Sequence, residues 1–192
     1  MVRPAEPRDA AAIAAIYNQG IEERQATFET RPRSSEDFRE ALGGGPGAAR
    51  VFLAAVESER LVGWARLSPY GERECYAGVA EASVYVDIAS RGRGIGRRLL
   101  EALAEEAERL EHWKLIGLLF ATNRASIALC RAAGCREVGT LRRHGRLDGQ
   151  WRDIVLVERL LGPAVAGFAA GGGTAQSEPG QAPPRDRSSP AS

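Results

Sequence analysis

The chain has 192 residues, with 26 Lys and Arg against 25 Asp and Glu and a formal net charge of +1. This near-neutral charge argues against a protein that binds nucleic acid by neutralising phosphates, because such proteins carry a basic excess. No apolar run approaches the roughly 20 residues that span a bilayer, and no signal-peptide core is present. The three cysteines fit reduced thiols better than a disulfide framework. We therefore expect a cytoplasmic protein without a membrane segment.

The C-terminal 31 residues differ in composition from the rest of the chain. Residues 162–192 hold 5 of the 10 prolines and 6 of the 22 glycines, with Phe168 as their only aromatic residue. Such a segment buries too little apolar surface to offset the entropy lost on ordering. The sequence predicts a single folded domain over residues 1–161 and a disordered tail over residues 162–192.

Two helices are predicted before the first strands. Asp9 is placed to cap a helix in which Ile13, Ile16 and Tyr17 recur at helical spacing. A second helix is expected over Ser35–Leu42, where acidic residues occupy the first turn and the sequence GGGPG ends the helix.

Apolar runs predict six strands, over residues 51–56, 61–67, 82–86, 114–120, 138–141 and 154–160. The first two runs are joined by a polar Glu57-Ser58-Glu59-Arg60 turn, which is a hairpin signal. A long amphipathic helix is expected over residues 95–111, and a shorter helix over residues 125–133 that stops at Gly134. This order of elements predicts an α/β or α+β domain with a mixed sheet.

A glycine-rich loop connects the strand at residues 82–86 to the long helix. Its sequence is Arg91-Gly92-Arg93-Gly94-Ile95-Gly96-Arg97. Glycines let the backbone turn tightly and present successive N–H groups, and the helix N-terminus adds partial positive charge at the same place. The loop lacks the Gly-Lys-Ser/Thr ending of a P-loop and is not GxGxxG. We interpret it as a phosphate-binding loop, in preference to a plain strand-to-helix turn.

The pattern [Q/R]-x-x-G-x-[G/A] in this loop resembles the pyrophosphate-binding motif of the GNAT acetyltransferases. The segment Asn123-Arg124-Ala125-Ser126, followed by Leu129 and Gly134, resembles the superfamily's next segment, which flanks the pantetheine. Four further segments are similar to the phosphinothricin acetyltransferase family, closest to its arsinothricin N-acetyltransferase branch, and they extend the resemblance over residues 2–161. They are Tyr17-Asn18, Thr27-Phe28 before Arg31-Pro32, Ser83-Val84-Tyr85-Val86 and Gly149-Gln150-Trp151-Arg152-Asp153.

The resemblance implies a GNAT-type fold, with a central twisted mixed sheet flanked by helices, and a homodimer. It also implies acetyl-CoA as co-substrate and acetyl transfer to a primary amine, without a metal. Glu81 matches the family's general base, since the amine must lose a proton before it attacks; the alternative is an ordinary strand-edge carboxylate. The implied cofactor-binding residues are Val84, Tyr85, Val86, Arg91, Gly92, Arg93, Gly94, Ile95, Gly96, Arg97 and Asn123.

The resemblance also implies acceptor-binding residues. Arg73 and Tyr76 match the family region that holds the acceptor's acidic end, where a guanidinium fork suits a tetrahedral oxyanion; a solvated surface arginine is the alternative. Phe28 is expected to wall the pocket or to pack in the core. Tyr17 and Asn18 face the core or the ligand.

Three positions depart from known enzymes or leave their roles open. Cys130 stands where many GNAT enzymes carry a Tyr that protonates the leaving thiolate, and a small buried apolar role suits it better. Asp148 stands where phosphinothricin acetyltransferases carry a His, and His144 is a possible substitute. The cysteines and His112 lack metal-ligand spacing.

These observations predict an N-acetyltransferase that detoxifies a glutamate-like amino acid and so gives antibiotic resistance. Arsinothricin is the first expected substrate, followed by phosphinothricin and methionine sulfoximine. The alternatives are a GNAT enzyme acting on a peptide N-terminus or a metabolic amine, and an acyl-CoA-binding module without catalysis.

Overall fold

The computed structural model describes residues 1–43 and 51–165. Within them lies one seven-stranded sheet in the order β1-β2-β3-β4-β5-β7-β6. The strands are β1 (Val2–Pro4), β2 (Val51–Glu57), β3 (Arg60–Pro69), β4 (Val79–Val86), β5 (Lys114–Phe120), β6 (Arg136–Leu147) and β7 (Gln150–Leu160). The helices are α1 (Ala10–Glu23), α2 (Ser35–Leu42), α3 (Ile95–Arg109) and α4 (Arg124–Ala132). The sheet is mixed, because β4 and β5 are parallel and the other neighbours antiparallel, which confirms the predicted fold class.

The helices cover both faces of the sheet. Trp64 and Ala65 are adjacent in β3 and fully buried, and because strand side chains alternate, they belong to different cores. Trp64 packs among the aromatic residues under α1 and α2, whereas Ala65 packs under Leu99 and Leu103 of α3. Helix α4 lies beside α3, with Ile127 against Leu100 and β7. No helix in residues 1–43 and 51–165 is long and apolar enough to cross a membrane.

Strands β4 and β5 pair over only three residue pairs, the last of which joins Glu81 to Ile116. Beyond that point β4 stays paired with β3 as far as Val86, and β5 stays paired with β7 as far as Phe120. The two parallel strands therefore separate and open a cleft in the middle of the sheet. The β4 edge that faces the cleft has no strand partner after Glu81.

The structure corrects several predicted element boundaries. Strand β1 was not predicted, and β4, β6 and β7 begin earlier or run further than their apolar runs. Helix α3 ends at Arg109 and not at residue 111, while Gly134, with φ of 81°, follows α4 as expected. The carboxylate of Asp9 does not cap α1, because it accepts hydrogen bonds from Arg3 and from the backbone N–H of Glu6. The GGGPG segment after Gly43 and the tail beyond Val165 lie outside the described residues.

Candidate active site

Two adjoining cavities occupy the cleft between β4 and β5. The first, here called the Glu81 cavity, has a volume of about 630 Å³ and contains Glu81 and Phe28 in its lining. The second, the loop cavity, has a volume of about 490 Å³ and reaches the glycine-rich loop before α3. Six residues line both, which makes the two cavities one continuous cleft: Gln25, Ala26, Val84, Tyr85, Asn123 and Ser126.

The loop cavity brings together ten of the eleven residues predicted to bind the cofactor: Val84, Tyr85, Val86, Arg91, Gly92, Gly94, Ile95, Gly96, Arg97 and Asn123. Gly92 and Gly94 have φ values of 75° and 76°, a conformation that is strained for other residues. Gly94 immediately precedes α3, whose first N–H groups have no partner within the helix. The loop therefore directs backbone donors and the positive end of the α3 dipole into the cavity.

The arginines of the loop are bound by glutamates. The guanidinium of Arg91 donates to both carboxylate oxygens of Glu23, over 2.8 and 2.7 Å. Arg93, the eleventh predicted residue, does not line the loop cavity and forms an ion pair of 2.7 Å with Glu57. Arg97 pairs with Glu101 at 2.7 Å. These ion pairs are solvent-exposed and therefore weak, so Arg91 and Arg97, which line the loop cavity, remain available to an anion beside the backbone N–H groups.

The side chain of Asn123 is held by two hydrogen bonds. Its Oδ1 accepts from the N–H of Ser126 at the start of α4, and its Nδ2 donates to the carbonyl of Gln25. Both side-chain polar atoms are therefore engaged, and Asn123 joins α4 to the segment after α1 across the cleft. Its predicted contact with a cofactor stays a prediction.

Glu81 lies where the two strands separate. It is the third residue of β4, half-buried, and it lines the Glu81 cavity but not the loop cavity. Its strand neighbours are Ser68 on β3 and Ile116 on β5. The carboxylate therefore sits beside the open β4 edge, where it can accept a proton from a group bound in the cleft.

Aromatic residues form one wall of the Glu81 cavity. Phe28 is 37% exposed and meets Phe120 edge-on, with ring centroids 4.8 Å apart. Phe28 also packs against the backbone of Gly145, where an added Cβ would lie 2.5 Å from the ring. Phe28 thus lines the cavity, as expected, and packs on β5 and β6 at the same time.

Tyr17 and Tyr85 form the buried side of the cavity. The Tyr17 ring contacts Tyr85 at a centroid distance of 4.9 Å, and its hydroxyl is 3.1 Å from Thr27 Oγ1. Burial raises the pKa of both phenols, so they stay protonated at neutral pH. Asn18 faces away from the cleft and exchanges hydrogen bonds with the backbone of Arg33.

His144 lines the Glu81 cavity, whereas Asp148 does not. Asp148 sits in the β6–β7 turn with φ of 48° and forms an ion pair with Arg24 at 2.9 Å. Of the two, His144 is the one that lines the cleft.

Arg73 and Tyr76 lie outside the Glu81 cavity of their own chain. They belong to the segment around a short helical turn, Glu74–Tyr76, and line a separate concavity of about 540 Å³ that includes His112. Tyr76 packs edge-on against Tyr70, with ring centroids 5.4 Å apart. Their predicted contact with the acceptor stays a prediction.

Two charged residues of the Glu81 cavity were not identified from the sequence. Arg66 on β3 is half-buried, and Glu29 lies in the segment between α1 and α2. Hydrogen bonds from Arg33, at 2.7 and 2.9 Å, are the main reason that the pKa of Glu29 is lowered. An arginine inside the otherwise apolar Leu61–Leu67 stretch of β3 was the available signal for Arg66.

Cys130 lies in a buried apolar cluster between α4 and β7. The neighbouring thiol of Cys135, together with burial, raises the pKa of Cys130. It lines neither the Glu81 cavity nor the loop cavity, which fits the small apolar role. Among residues 1–43 and 51–165, no group of three or more His, Cys, Asp and Glu is arranged to hold a metal ion.

Known proteins share this sequence and fold. The profile of the Acetyltransferase (GNAT) family matches residues 14–135. A phosphinothricin N-acetyltransferase of Streptomyces coelicolor is 34% identical over 163 residues, which cover 83% of this chain and 95% of that one. An L-methionine sulfoximine/L-methionine sulfone acetyltransferase of Pseudomonas aeruginosa is 29% identical, over 84% of this chain and 95% of the other. The crystal structure of a phosphinothricin acetyltransferase from Sinorhizobium meliloti in complex with AcCoA superposes with a TM-score of 0.78 at 28% identity, over 86% and 90% of the two chains.

Proposed function

Because the chain belongs to the GNAT acetyltransferase family and is an N-acetyltransferase, we propose that it acetylates the α-amino group of a toxic glutamate-like amino acid. Arsinothricin is the first proposed acceptor, with phosphinothricin and methionine sulfoximine next, and acetyl-CoA is the proposed donor. The observation that carries the proposal is the position of Glu81, at the point where β4 leaves β5 and a cavity large enough for an amino acid meets the loop cavity. The homodimer and the cytoplasmic compartment expected from the sequence stay predictions.

The loop cavity supplies the groups that a cofactor with a pyrophosphate needs. The first N–H groups of α3, beyond Gly94, provide donors for phosphate oxygens without the desolvation of a buried side chain. The unpaired β4 edge from residue 82 to Val86 can hydrogen-bond an extended amide chain, as a further strand would. Acetyl-CoA supplies an activated thioester when it is bound.

The Glu81 cavity supplies the groups that the acceptor needs. A free α-amino group is largely protonated near pH 7, and Glu81 takes up its proton directly or through one water molecule. A backbone N–H near Val84 or Val86 donates to the thioester carbonyl oxygen as negative charge develops on it. Phe28 limits the width of the cavity. The role at the acceptor's acidic end that the family resemblance implies for Arg73 and Tyr76 stays a prediction, because both line a separate concavity.

The test measures thiol release from acetyl-CoA with arsinothricin, phosphinothricin, methionine sulfoximine, a peptide with a free N-terminus and a polyamine. We expect turnover with at least one of the three amino acids and a kcat lowered by about 10² to 10⁴-fold in Glu81→Gln. Binding of CoA to Glu81→Gln should be unchanged, because Glu81 does not line the loop cavity. Turnover with the peptide or polyamine alone refutes the substrate assignment, and turnover unaffected by Glu81→Gln refutes the assignment of the base.

A further inference from the structure

Arg66 is a charged residue in the middle of the sheet. It lies on β3 between Phe52 of β2 and Ser83 of β4, its partners in the strand register. Its neighbour two positions earlier on the same face, Trp64, is fully buried. Arg66 itself is half-buried and reaches the Glu81 cavity. The guanidinium is therefore carried on a rigid strand and directed to the proposed acceptor site.

The guanidinium has no protein anion as partner. Its Nε is buried and makes no hydrogen bond, and no carboxylate of the described residues pairs with it. The nearby carboxylate of Glu29 forms a bidentate pair with Arg33, which is the main reason that its pKa is lowered, and the charge of Arg66 contributes to a smaller extent. Arg66 is only half-buried, and its Nε is the one nitrogen of its guanidinium that is buried without a hydrogen bond. The guanidinium therefore keeps donor capacity at the wall of the Glu81 cavity, as expected where an anion binds.

The register places this cation close to the proposed base. Ser83 lies directly opposite Arg66, and Glu81 lies two residues earlier on β4, on the same face of the sheet. Diagonal neighbours of this kind have Cα atoms roughly 7–8 Å apart. One end of a small molecule can therefore meet Glu81 while another end meets the guanidinium.

We propose that Arg66 is a specificity-determining residue that binds an oxyanionic group of the acceptor, a carboxylate or a phosphinate, while the acceptor's amine faces Glu81. This assignment rests on the proposed function, and it adds a cation within the chain's own cleft to the more distant Arg73. The planar fork of an arginine offers two parallel N–H donors to either oxyanion. The oxyanionic group that Arg66 binds is either the α-carboxylate of the acceptor or the acid of its side chain, and the three acceptors used in the test distinguish these two cases.

The test compares wild-type protein with Arg66→Met, Arg66→Lys and the control Arg109→Gln, which alters an exposed arginine at the end of α3. The acceptors are phosphinothricin, its α-carboxamide and methionine sulfoximine, whose side chain carries no acid. Calorimetry in the presence of CoA gives the Kd of each acceptor, and thiol release gives KM and kcat. Melting temperatures show whether each variant is folded, and Arg66→Lys retains the charge and most of the volume if Arg66→Met does not fold.

For Arg66→Met we expect the Kd and KM of phosphinothricin to rise about 10- to 100-fold, because the variant loses a charge-assisted bidentate contact. The kcat should change little. Arg66→Lys should show a smaller rise, and Arg109→Gln none. If the guanidinium binds the side-chain acid, methionine sulfoximine is unaffected and the α-carboxamide is weakened. If it binds the α-carboxylate, methionine sulfoximine is weakened and the α-carboxamide is unaffected.

Equal effects on all three acceptors, or no effect of Arg66→Met on phosphinothricin, would overturn the assignment. A wild-type protein that binds none of the three also overturns it. The failure of the proposed function looks different: phosphinothricin then binds in an Arg66-dependent manner without thiol release, or thiol is released only with unrelated amines.

Discussion

Asp87 lies between β4, which carries Glu81, and the glycine-rich loop that borders the loop cavity. It follows β4 directly and is 3% exposed. Its Oδ1 accepts a hydrogen bond from Gln19 Nε2 at 2.9 Å, and its Oδ2 accepts one from Arg60 at 2.8 Å. Gln19 in turn accepts from the N–H of Ile88, so α1, β3 and the turn before the glycine-rich loop meet at one carboxylate.

Replacing Asp87 by Ala removes these contacts. The hydrogen bond from Gln19 to a buried carboxylate contributes about 1.5–3 kcal/mol. The Arg60 pair contributes about 0–1 kcal/mol, because Arg60 is 67% exposed and solvent screens it. Asp87→Ala is therefore expected to lower the free energy of unfolding by about 2–4 kcal/mol, and Asp87→Asn, which keeps an acceptor for Gln19, by about 1–2 kcal/mol.

Urea unfolding at neutral pH measures both losses, and calorimetry with CoA measures the effect on the loop. The Kd for CoA should rise in Asp87→Ala, since the turn at residues 88–90 loses its anchor. Glu36→Gln, on the exposed surface of α2, is the control and should stay within about 0.5 kcal/mol of wild type. A loss below about 0.5 kcal/mol in Asp87→Ala would refute the view that this carboxylate organises the loop.

Three further changes test individual residues. Gly92→Ala is expected to lower the free energy of unfolding by about 1–2 kcal/mol, because Gly92 has a positive φ that alanine adopts only with strain. Steric contact adds nothing, since no atom lies within 4 Å of the added Cβ. The control Gly139→Ala, also in open space but without a positive φ, should show no such loss in the same urea titration. Asn123→Ala should lose about 1 kcal/mol through the lost cap, and Asn123→Ser should lose less in urea unfolding, because serine also caps α4 while both variants lose the donor to the Gln25 carbonyl; equal losses would contradict the capping role. The hydrogen bond from Arg3 is the main reason that the pKa of Asp9 is lowered, so the pair stabilises the fold above the unfolded pKa of about 3.9 and this stabilisation is lost as the pH falls through the folded value. The difference in unfolding free energy between wild type and Asp9→Asn should therefore shrink as the pH falls below about 4, and a difference that stays constant in this acid range would contradict a lowered pKa of Asp9.

Local patterns in the sequence predicted the elements that depend on local physics. The amphipathic spacing of α3, the apolar run of β5 and the Gly134 stop after α4 each correspond to a described element. The hairpin signal at residues 57–60 also holds, with Ser58 and Glu59 in the left-handed conformation of a tight turn. These features depend on periodicity and backbone preference, which a single sequence displays.

The elements that the sequence predicted least well lie at the edges of the sheet: β1 was missed, and β6 was predicted only over residues 138–141. Strand β6 has twelve residues, and all except Gly145 and Leu147 are exposed, so no alternation of buried and exposed side chains marks it. Strand β1 has three residues and ends at a proline, which is too short for a pattern. Both form because a neighbouring strand offers unpaired backbone groups, and that information comes from the partner strand.

The cleft depends on contacts between residues far apart in the sequence. The sequence pointed to Glu81 through a family resemblance, but its relation to Arg66 follows from the β3–β4 register. The separation of β4 from β5 after three residue pairs likewise has no local signal. Residue identity could therefore suggest chemistry, whereas the set of groups that share one cavity required the fold.

The distribution of charge around the cleft separates two kinds of anion recognition. Arg91, Arg93, Arg97 and Arg98 share three glutamate partners, because Glu57 pairs with both Arg93 and Arg98, so the side chains around the loop carry a small positive excess beside the backbone N–H groups. This balance fits a chain whose net charge is only +1. Arg66 is different, because it belongs to none of the ion pairs among the described residues, and the nearby Glu29 is bound mainly by Arg33. On the proposed function, the charge of Arg66 in the Glu81 cavity serves the choice among acceptors, whereas at the loop most of the side-chain charge is offset and rigid backbone donors contribute to anion binding.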